Sequence, residues 1–214
     1  MKAKIGILLT YLLLLTGCRS IHTEAEQYLE DKYGENFTFQ SAYGGGTDAS
    51  TKYSFTSDRL PGESITVRCL GENEFRDNYT GLKYQDQTRQ LFRSMLTECY
   101  GADIFLIYDV NIMDIGYGTT FDEYKKDAVL NFTAIVRCPL ADKEEAVRKL
   151  EQVMTRELRH ASATIYFDAD VDLSKITIEN YYASYLEKKT YEGRLYVSMS
   201  DTNGFKIVRW EDKK

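Results

Sequence analysis

The sequence predicts an α+β fold, an antiparallel sheet packed with amphipathic helices. Two observations lead there. Runs rich in Phe, Tyr, Thr, Val and Ile end at glycine- and proline-containing turns, as strands do. Other segments repeat apolar residues at helical spacing and open or close on helix-capping residues.

Thr23-Glu24-Ala25-Glu26 is a capping box, after which Ala25, Tyr28, Leu29, Lys32 and Tyr33 keep helical spacing until Gly34. Strands are expected over about 37–43, 51–57 and 63–70, separated by Gly44-Gly45-Gly46-Thr47-Asp48 and by Pro61-Gly62, as an antiparallel meander. Residues 84–100 predict the clearest helix: Leu91, Phe92, Met95, Leu96 and Cys99 share one side, and Gly101 ends it. A strand follows over 103–110. Thr120-Phe121-Asp122-Glu123 is a second capping box, opening a helix near 121–127, and a strand runs from about 129 to 138. Asp142 caps a long helix whose stripe is Ala146, Val147, Leu150, Val153, Met154, Leu158 and Ala161. A strand over 163–168, a helix near 177–188, and a hairpin of 193–199 with 204–210 around Asn203-Gly204 complete the chain.

The first residues carry a different signal. Lys2 and Lys4 precede the apolar run Ile5 to Leu15, and small residues lead into Cys18. This is the layout of a secretory signal peptide, too short to span a bilayer, which needs roughly 20 apolar residues. Its ending, Leu15-Thr16-Gly17-Cys18, resembles the lipobox of bacterial lipoproteins. The resemblance implies removal of residues 1–17 and a diacylglyceryl group on Cys18, which becomes the first mature residue. It also implies a location outside the cytoplasm, on the outer face of the plasma membrane or, in a Gram-negative cell, at the outer membrane. Arg19 stands where aspartate is associated with inner-membrane retention. Residues 18–22 would then be a short tether and 23–112 a first α+β half. A second half spans 120–210, joined near 111–119, with one continuous domain as the alternative. Both halves contain a helix opener and a strand ending in the same tripeptide, Val67-Arg68-Cys69 and Val136-Arg137-Cys138, so the halves are candidates for a diverged repeat.

The chain has a formal net charge of −6, which loss of Lys2 and Lys4 takes to about −8. Nucleic acid and anionic headgroups repel such a domain, so no nucleic-acid partner is expected and membrane attachment falls to the lipid. Cysteine spacing shows no zinc or thioredoxin pattern. Separate buried thiols are the simplest expectation for Cys69, Cys99 and Cys138, with a Cys69–Cys138 disulfide as the alternative if their strands are neighbours.

Asp168-Ala169-Asp170-Val171-Asp172 alternates carboxylates, and Glu179 stands twelfth from Asp168. Asp168, Asp170, Asp172 and Glu179 thus match ligand positions of a twelve-residue calcium loop, and Ser174 takes the carbonyl position. Leu173 occupies the sixth position, where such loops turn sharply at glycine, and Lys175 adds a positive charge. A solvated acidic turn capping the next helix is therefore favoured over calcium, and no other cofactor is expected.

The 44–46 glycine run lacks a Gly-Lys-Ser/Thr ending and reads as a hairpin tip. His22 sits beside the tether and His160 at a helix end, so no catalytic triad or zinc motif forms. Tyr181, Tyr182 and Tyr185 read as mostly core, and Arg76-Asp77-Asn78-Tyr79 as a loop. Two functions remain. The favoured one is a lipid-anchored, non-catalytic domain that binds an envelope protein, peptide or glycan. The other is an envelope hydrolase using dispersed carboxylates.

Overall fold

The computed structural model describes residues 21–44, 51–71, 74–101, 103–108, 110, 120–139, 142–187 and 191–212. The fold is α+β, and the chain divides after Tyr79 into two compact units. Cys18, the rest of the signal and tether through 20, most of the 44–46 glycine run and the 111–119 joint lie outside the described residues.

The first unit is one helix on a four-stranded antiparallel meander. Helix α1 (Ile21–Tyr33) is followed by β1 (Phe37–Tyr43), β2 (Lys52–Ser57), β3 (Ile65–Gly71) and β4 (Glu74–Asp77), paired in that order. The helix begins two residues before Thr23 and buries Ala25, Leu29 and Lys32. Phe37, Tyr53, Phe55, Ile65, Val67 and Phe75 supply the buried sheet residues. Complete burial of an apolar side chain of this size contributes roughly 1.5–3 kcal/mol.

One charged pair lies in this interior. Asp77 is fully buried and Lys32 nearly so, with Nζ 2.9 Å from Oδ2. The same oxygen accepts from the Tyr28 hydroxyl at 2.7 Å. Oδ1 accepts from the Tyr33 hydroxyl at 2.7 Å and from the Tyr79 amide at 2.8 Å. Lys32 in turn donates to the Tyr28 hydroxyl at 2.8 Å and lies 5.1 and 5.3 Å from the Tyr28 and Tyr33 ring centres. Four donors thus satisfy one carboxylate, the condition under which a charge is tolerated away from water. The segment expected as a loop at 76–79 is instead the end of β4 and the start of α2 (Tyr79–Lys83). Its aspartate fastens α1 to the sheet.

The second unit contains α3 (Gln85–Tyr100), β5 (Ile104–Tyr108), α4 (Phe121–Asp127), β6 (Val129–Val136), α5 (Lys143–Glu157), β7 (His160–Phe167), β8 (Gly193–Ser200) and β9 (Gly204–Asp212). Sheet order is β5-β6-β7-β8-β9. The local signals act as the sequence implies. Gly101 closes α3 in the left-handed region at φ 60°, its amide donating to Thr97 O at 2.7 Å. Thr120 and Glu123 form a reciprocal capping box, and Asp142 accepts from the Glu144 and Glu145 amides. Gly81 permits a close approach: a β-carbon there would overlap Val110.

One strand pair departs from the antiparallel expectation. β6 and β7 run parallel, in register from Val129 opposite His160 to Val136 opposite Phe167. Parallel neighbours need a crossover of a dozen or more residues, and α5 is that crossover. Helices α3 and α5 pack together on one sheet face, burying Phe92, Met95, Leu96, Leu150, Val153 and Met154 against Leu130, Phe132, Ile165, Phe167, Leu195 and Val197. The segment after β7 covers the opposite face, where Ile135, Tyr166, Val171, Ile176, Tyr185 and Tyr191 cluster.

These groupings differ from the expected halves, 23–112 and 120–210. Helix α3 and β5 belong to the second unit because α3 packs on α5 and β5 pairs with β6. The two Val-Arg-Cys segments have different settings: β3 lies between antiparallel neighbours, whereas β6 has one antiparallel and one parallel neighbour. The shared tripeptide thus marks no shared topology. His160 is not at a helix end, since α5 stops at Glu157; it opens β7, with Nε2 3.6 Å from Asp201.

Asp77→Ala would remove the carboxylate 2.9 Å from the buried Lys32 ammonium. Removal of one partner of a buried pair costs about 3–5 kcal/mol, so urea unfolding of the first unit, followed by circular dichroism, should shift by that amount. An unchanged midpoint would show that water reaches the pair.

Candidate binding surface

A groove of about 350 Å³ lies between the outer side of α5 and β9, lined by Lys143, Glu144, Val147, Arg148, Glu151, Ile207 and Trp210. The helix stripe explains its floor. Ala146, Leu150, Val153 and Met154 turn to the sheet, which leaves Val147 beside the groove among charged neighbours. Trp210 is oriented from several sides. Its ring stacks on Phe167 at 6.0 Å, and its indole N–H donates to Asp212 Oδ1 at 2.8 Å. Lys143 stands 5.5 Å from the ring centre and pairs with Asp212. Lys143, and then the indole, hold the Asp212 carboxyl below its usual range. An apolar floor with a charged rim is the anatomy of a protein-binding patch. Ile207 and Val208 are 53% and 65% exposed, unusual for large apolar side chains on a strand.

A second cleft, of about 320 Å³, opens at the carboxyl ends of β6 and β7, where Cys99, Tyr100, Cys138, Asp142, Glu145, Lys149 and Phe167 meet. Ligands often bind at the carboxyl ends of parallel strands, with a helix N-terminus drawing anions. Here Asp142 already accepts from the Glu144 and Glu145 amides at 3.0 and 3.1 Å, so the positive end of α5 is answered by the protein's own carboxylate. Burial, reinforced by Glu98, pushes the Cys99 thiol up to about 11. Burial and then Glu192 raise Cys138. Both thiols are therefore protonated near neutral pH and poor nucleophiles. The Tyr100 hydroxyl donates to Ala146 O at 3.2 Å, and burial raises its phenol as well.

Of the four carboxylates weighed as calcium ligands against an acidic turn, Asp168 and Asp172 accept hydrogen bonds within the turn itself. Asp168 is buried and accepts from the Asp170 amide at 3.1 Å, while Glu192 accepts from the Ala169 amide at 3.2 Å. Asp172 accepts from the Ser174 amide and hydroxyl at 3.2 and 2.6 Å and pairs with Lys175 at 2.8 Å. Lys175, then Ser174, hold its carboxyl at about 2. Glu179 is exposed, and a hydrogen bond from Thr177 lowers it. Among the described residues no three His, Cys, Asp or Glu side chains gather around a metal position. Leu173 takes up the tight 3-10 turn Leu173–Lys175, so the chain turns without the glycine.

Cys69, Cys99 and Cys138 are free thiols; Cys99 is buried as expected, whereas Cys69 and Cys138 are only half-buried. Cys69 lies on β3 of the first sheet and donates to Gly71 O at 3.2 Å; Cys138 follows β6 of the second. The conditional disulfide needed neighbouring strands, and β3 and β6 belong to different sheets. Of the tyrosine cluster, Tyr185 is buried, Tyr181 half-buried and Tyr182 61% exposed. The groove itself was not anticipated. Its one sequence signal is Ile207-Val208, two adjacent apolar residues that break the alternation of a strand with one buried face.

No family model matches the sequence, and no curated protein matches it. Among solved structures, it is similar to the crystal structure of a DUF5037 family protein from Ruminococcus gnavus ATCC 29149, at 14% identity and a TM-score of 0.41. That likeness covers 87% of this chain and 94% of the other.

Two outcomes are expected at these sites. The folded state raises the Cys99 thiol from an ordinary value near 9 to about 11. The stabilisation this carries is complete below pH 9 and is lost as pH rises towards 11, so the urea midpoint should fall across that window. Cys99→Ala should make the fall shallower, and an identical slope would show that the thiol is not the group responsible. Calcium should leave the melting temperature unchanged relative to chelator, since Asp172 is committed to Lys175. A rise abolished by Asp170→Ala would restore the calcium loop.

Proposed function

We propose that this protein is a lipid-anchored bacterial lipoprotein of the cell envelope, whose mature part is a non-catalytic binding domain. The observation that carries the anchor is the segment Leu15-Thr16-Gly17-Cys18 behind a basic and apolar leader. No helix among the described residues is long and apolar enough to cross a membrane. The diacylglyceryl group on Cys18 supplies two acyl chains, and two chains hold a protein stably where one gives only marginal attachment. With helix α1 starting at Ile21, the folded body is held close to the bilayer, on the outer face of the plasma membrane or at the outer membrane of a Gram-negative cell.

The binding half of the reading is supported by the α5–β9 groove, with its oriented Trp210 and charged rim. Protonated thiols in the strand-end cleft and turn-bound carboxylates at 168–172 favour binding over chemistry. The partner class is an envelope protein, peptide or glycan, and nucleic acid is disfavoured by the acidic charge.

Cys18→Ala should abolish incorporation of labelled fatty acid and move the chain out of the membrane fraction or leave it unprocessed. A Cys18→Ala chain that still takes up the lipid label and sediments with membranes would overturn the anchor.

A further inference from the structure

β9 is an edge strand. It pairs with β8 on one side, and among the described residues nothing pairs with the other. Natural edges are usually short, strongly charged or covered, because an open edge is a template for another strand. β9 is nine residues long and exposes Ile207 and Val208. Their adjacency has a structural cause. Tyr196 is opposite Arg209 and Val197 opposite Ile207, so Val208 is an extra residue in the ladder, a bulge.

The bulge changes which residues share a face. Ile207 and Trp210, three apart, lie opposite the core residues Val197 and Leu195, and both line the groove. Lys206 and Glu211 lie opposite Ser198 and Arg194, on the other face. An antiparallel copy of β9, related by a two-fold axis between Val208 and Arg209, then meets its mate in a matched register. Ile207 falls opposite Trp210 of the second copy on the groove side, and Lys206 opposite Glu211 on the other. A shift of two residues either way loses this match, setting Lys206 against Arg209 or Ile207 against Asp212. The strand also balances Lys206 and Arg209 against Glu211 and Asp212, so this edge of an acidic chain carries no net charge and adds no repulsion of its own between two copies.

We infer that the occupant of this edge is a second copy of the same chain, the two β9 strands pairing antiparallel about the Val208–Arg209 step. The two sheets become one, and the two α5–β9 grooves join in a single apolar seam. Glu211, already paired with Arg194 and Arg209, accepts Lys206 of the second copy as a further cation. The inference deepens the binding reading above, and a shared lipid anchor favours it, since copies confined to one surface meet at a raised effective concentration.

The test uses the full chain in bacterial membranes. Val208→Cys places a thiol beside the two-fold, and a short bismaleimide is applied to cells carrying two differently tagged copies. A cross-linked band containing both tags is expected, several-fold above the unsubstituted chain with its native thiols and above Lys126→Cys, an exposed position on α4. Adding Ile207→Lys or Lys206→Glu should return the band to background. Absence of the band in membranes and in the concentrated, detergent-solubilised chain overturns the pairing, as does equal cross-linking at 126. A band joined to a protein of another mass also overturns it, while leaving the binding reading intact. Fatty-acid labelling of the same samples reports the anchor separately: a labelled chain without the band loses only the pairing, and an unlabelled chain with the band loses only the anchor.

Discussion

A carboxylate with no exposure to water organises the first unit. Asp77 ends the shortest strand of the meander, where four residues of pairing with β3 would give little stability alone. Its two oxygens collect a lysine ammonium and two tyrosine hydroxyls from α1, together with the Tyr79 amide. Desolvating Lys32 and Asp77 is costly, and the pair need not be more stabilising than apolar residues of similar size. What it confers is position. Tyr28, Lys32 and Tyr33 reach one point only when α1 has a single rotation and translation over the sheet. A greasy contact would tolerate a slide of the helix; a buried charge with four directed donors does not.

The second unit solves the same problem with area. Its five-stranded sheet is wide enough to need cover on both faces, which α3 and α5 provide on one and Val171, Ile176, Tyr185 and Tyr191 on the other. The parallel β6–β7 pair follows from α5, because the helix carries the chain back along its own length before β7 begins. The covering is uneven. β7 and β8 are flanked on both sides, whereas β9 meets α5 on one face and leaves Ile207 and Val208 bare at the margin. The bare apolar pair on β9 thus lies where the sheet outruns its helices.

Much of this was legible in the sequence, and the division between legible and hidden follows the range of the interaction. The 37–43 strand, the 121–127 helix and the Asp142 cap coincide with the expected elements because their signals lie within a few residues. Where the sequence implies a helix near 177–188, the structure has a π-helical turn over Tyr182–Leu186, closed by Glu187 N to Tyr182 O at 3.0 Å, which places Tyr185 under the sheet. β4 was missed, since Glu74-Phe75-Arg76-Asp77 offers a single apolar residue and its decisive partner, Lys32, is 45 residues away. The acidic pattern at 168–172 had the right residues for calcium, but hydrogen bonds to neighbouring amides are short-range competitors that spacing alone does not reveal. β9 was legible as a strand. Its place at the sheet edge was not, because strand order is a property of the assembled sheet.

That last point links the groove to its surroundings. A bulge on an edge strand usually protects it, by breaking the regular row of donors and acceptors that another strand would need. The bulge at Val208 has a second consequence here: it brings Ile207 and Trp210 to one face and Lys206 and Glu211 to the other, which a regular strand would not do at a spacing of three and five residues. An irregular edge rejects regular strands and fits best a strand with the same irregularity in reverse order. The strand sure to carry it is another β9, so the feature that guards the edge against general aggregation also makes it selective for its own copy.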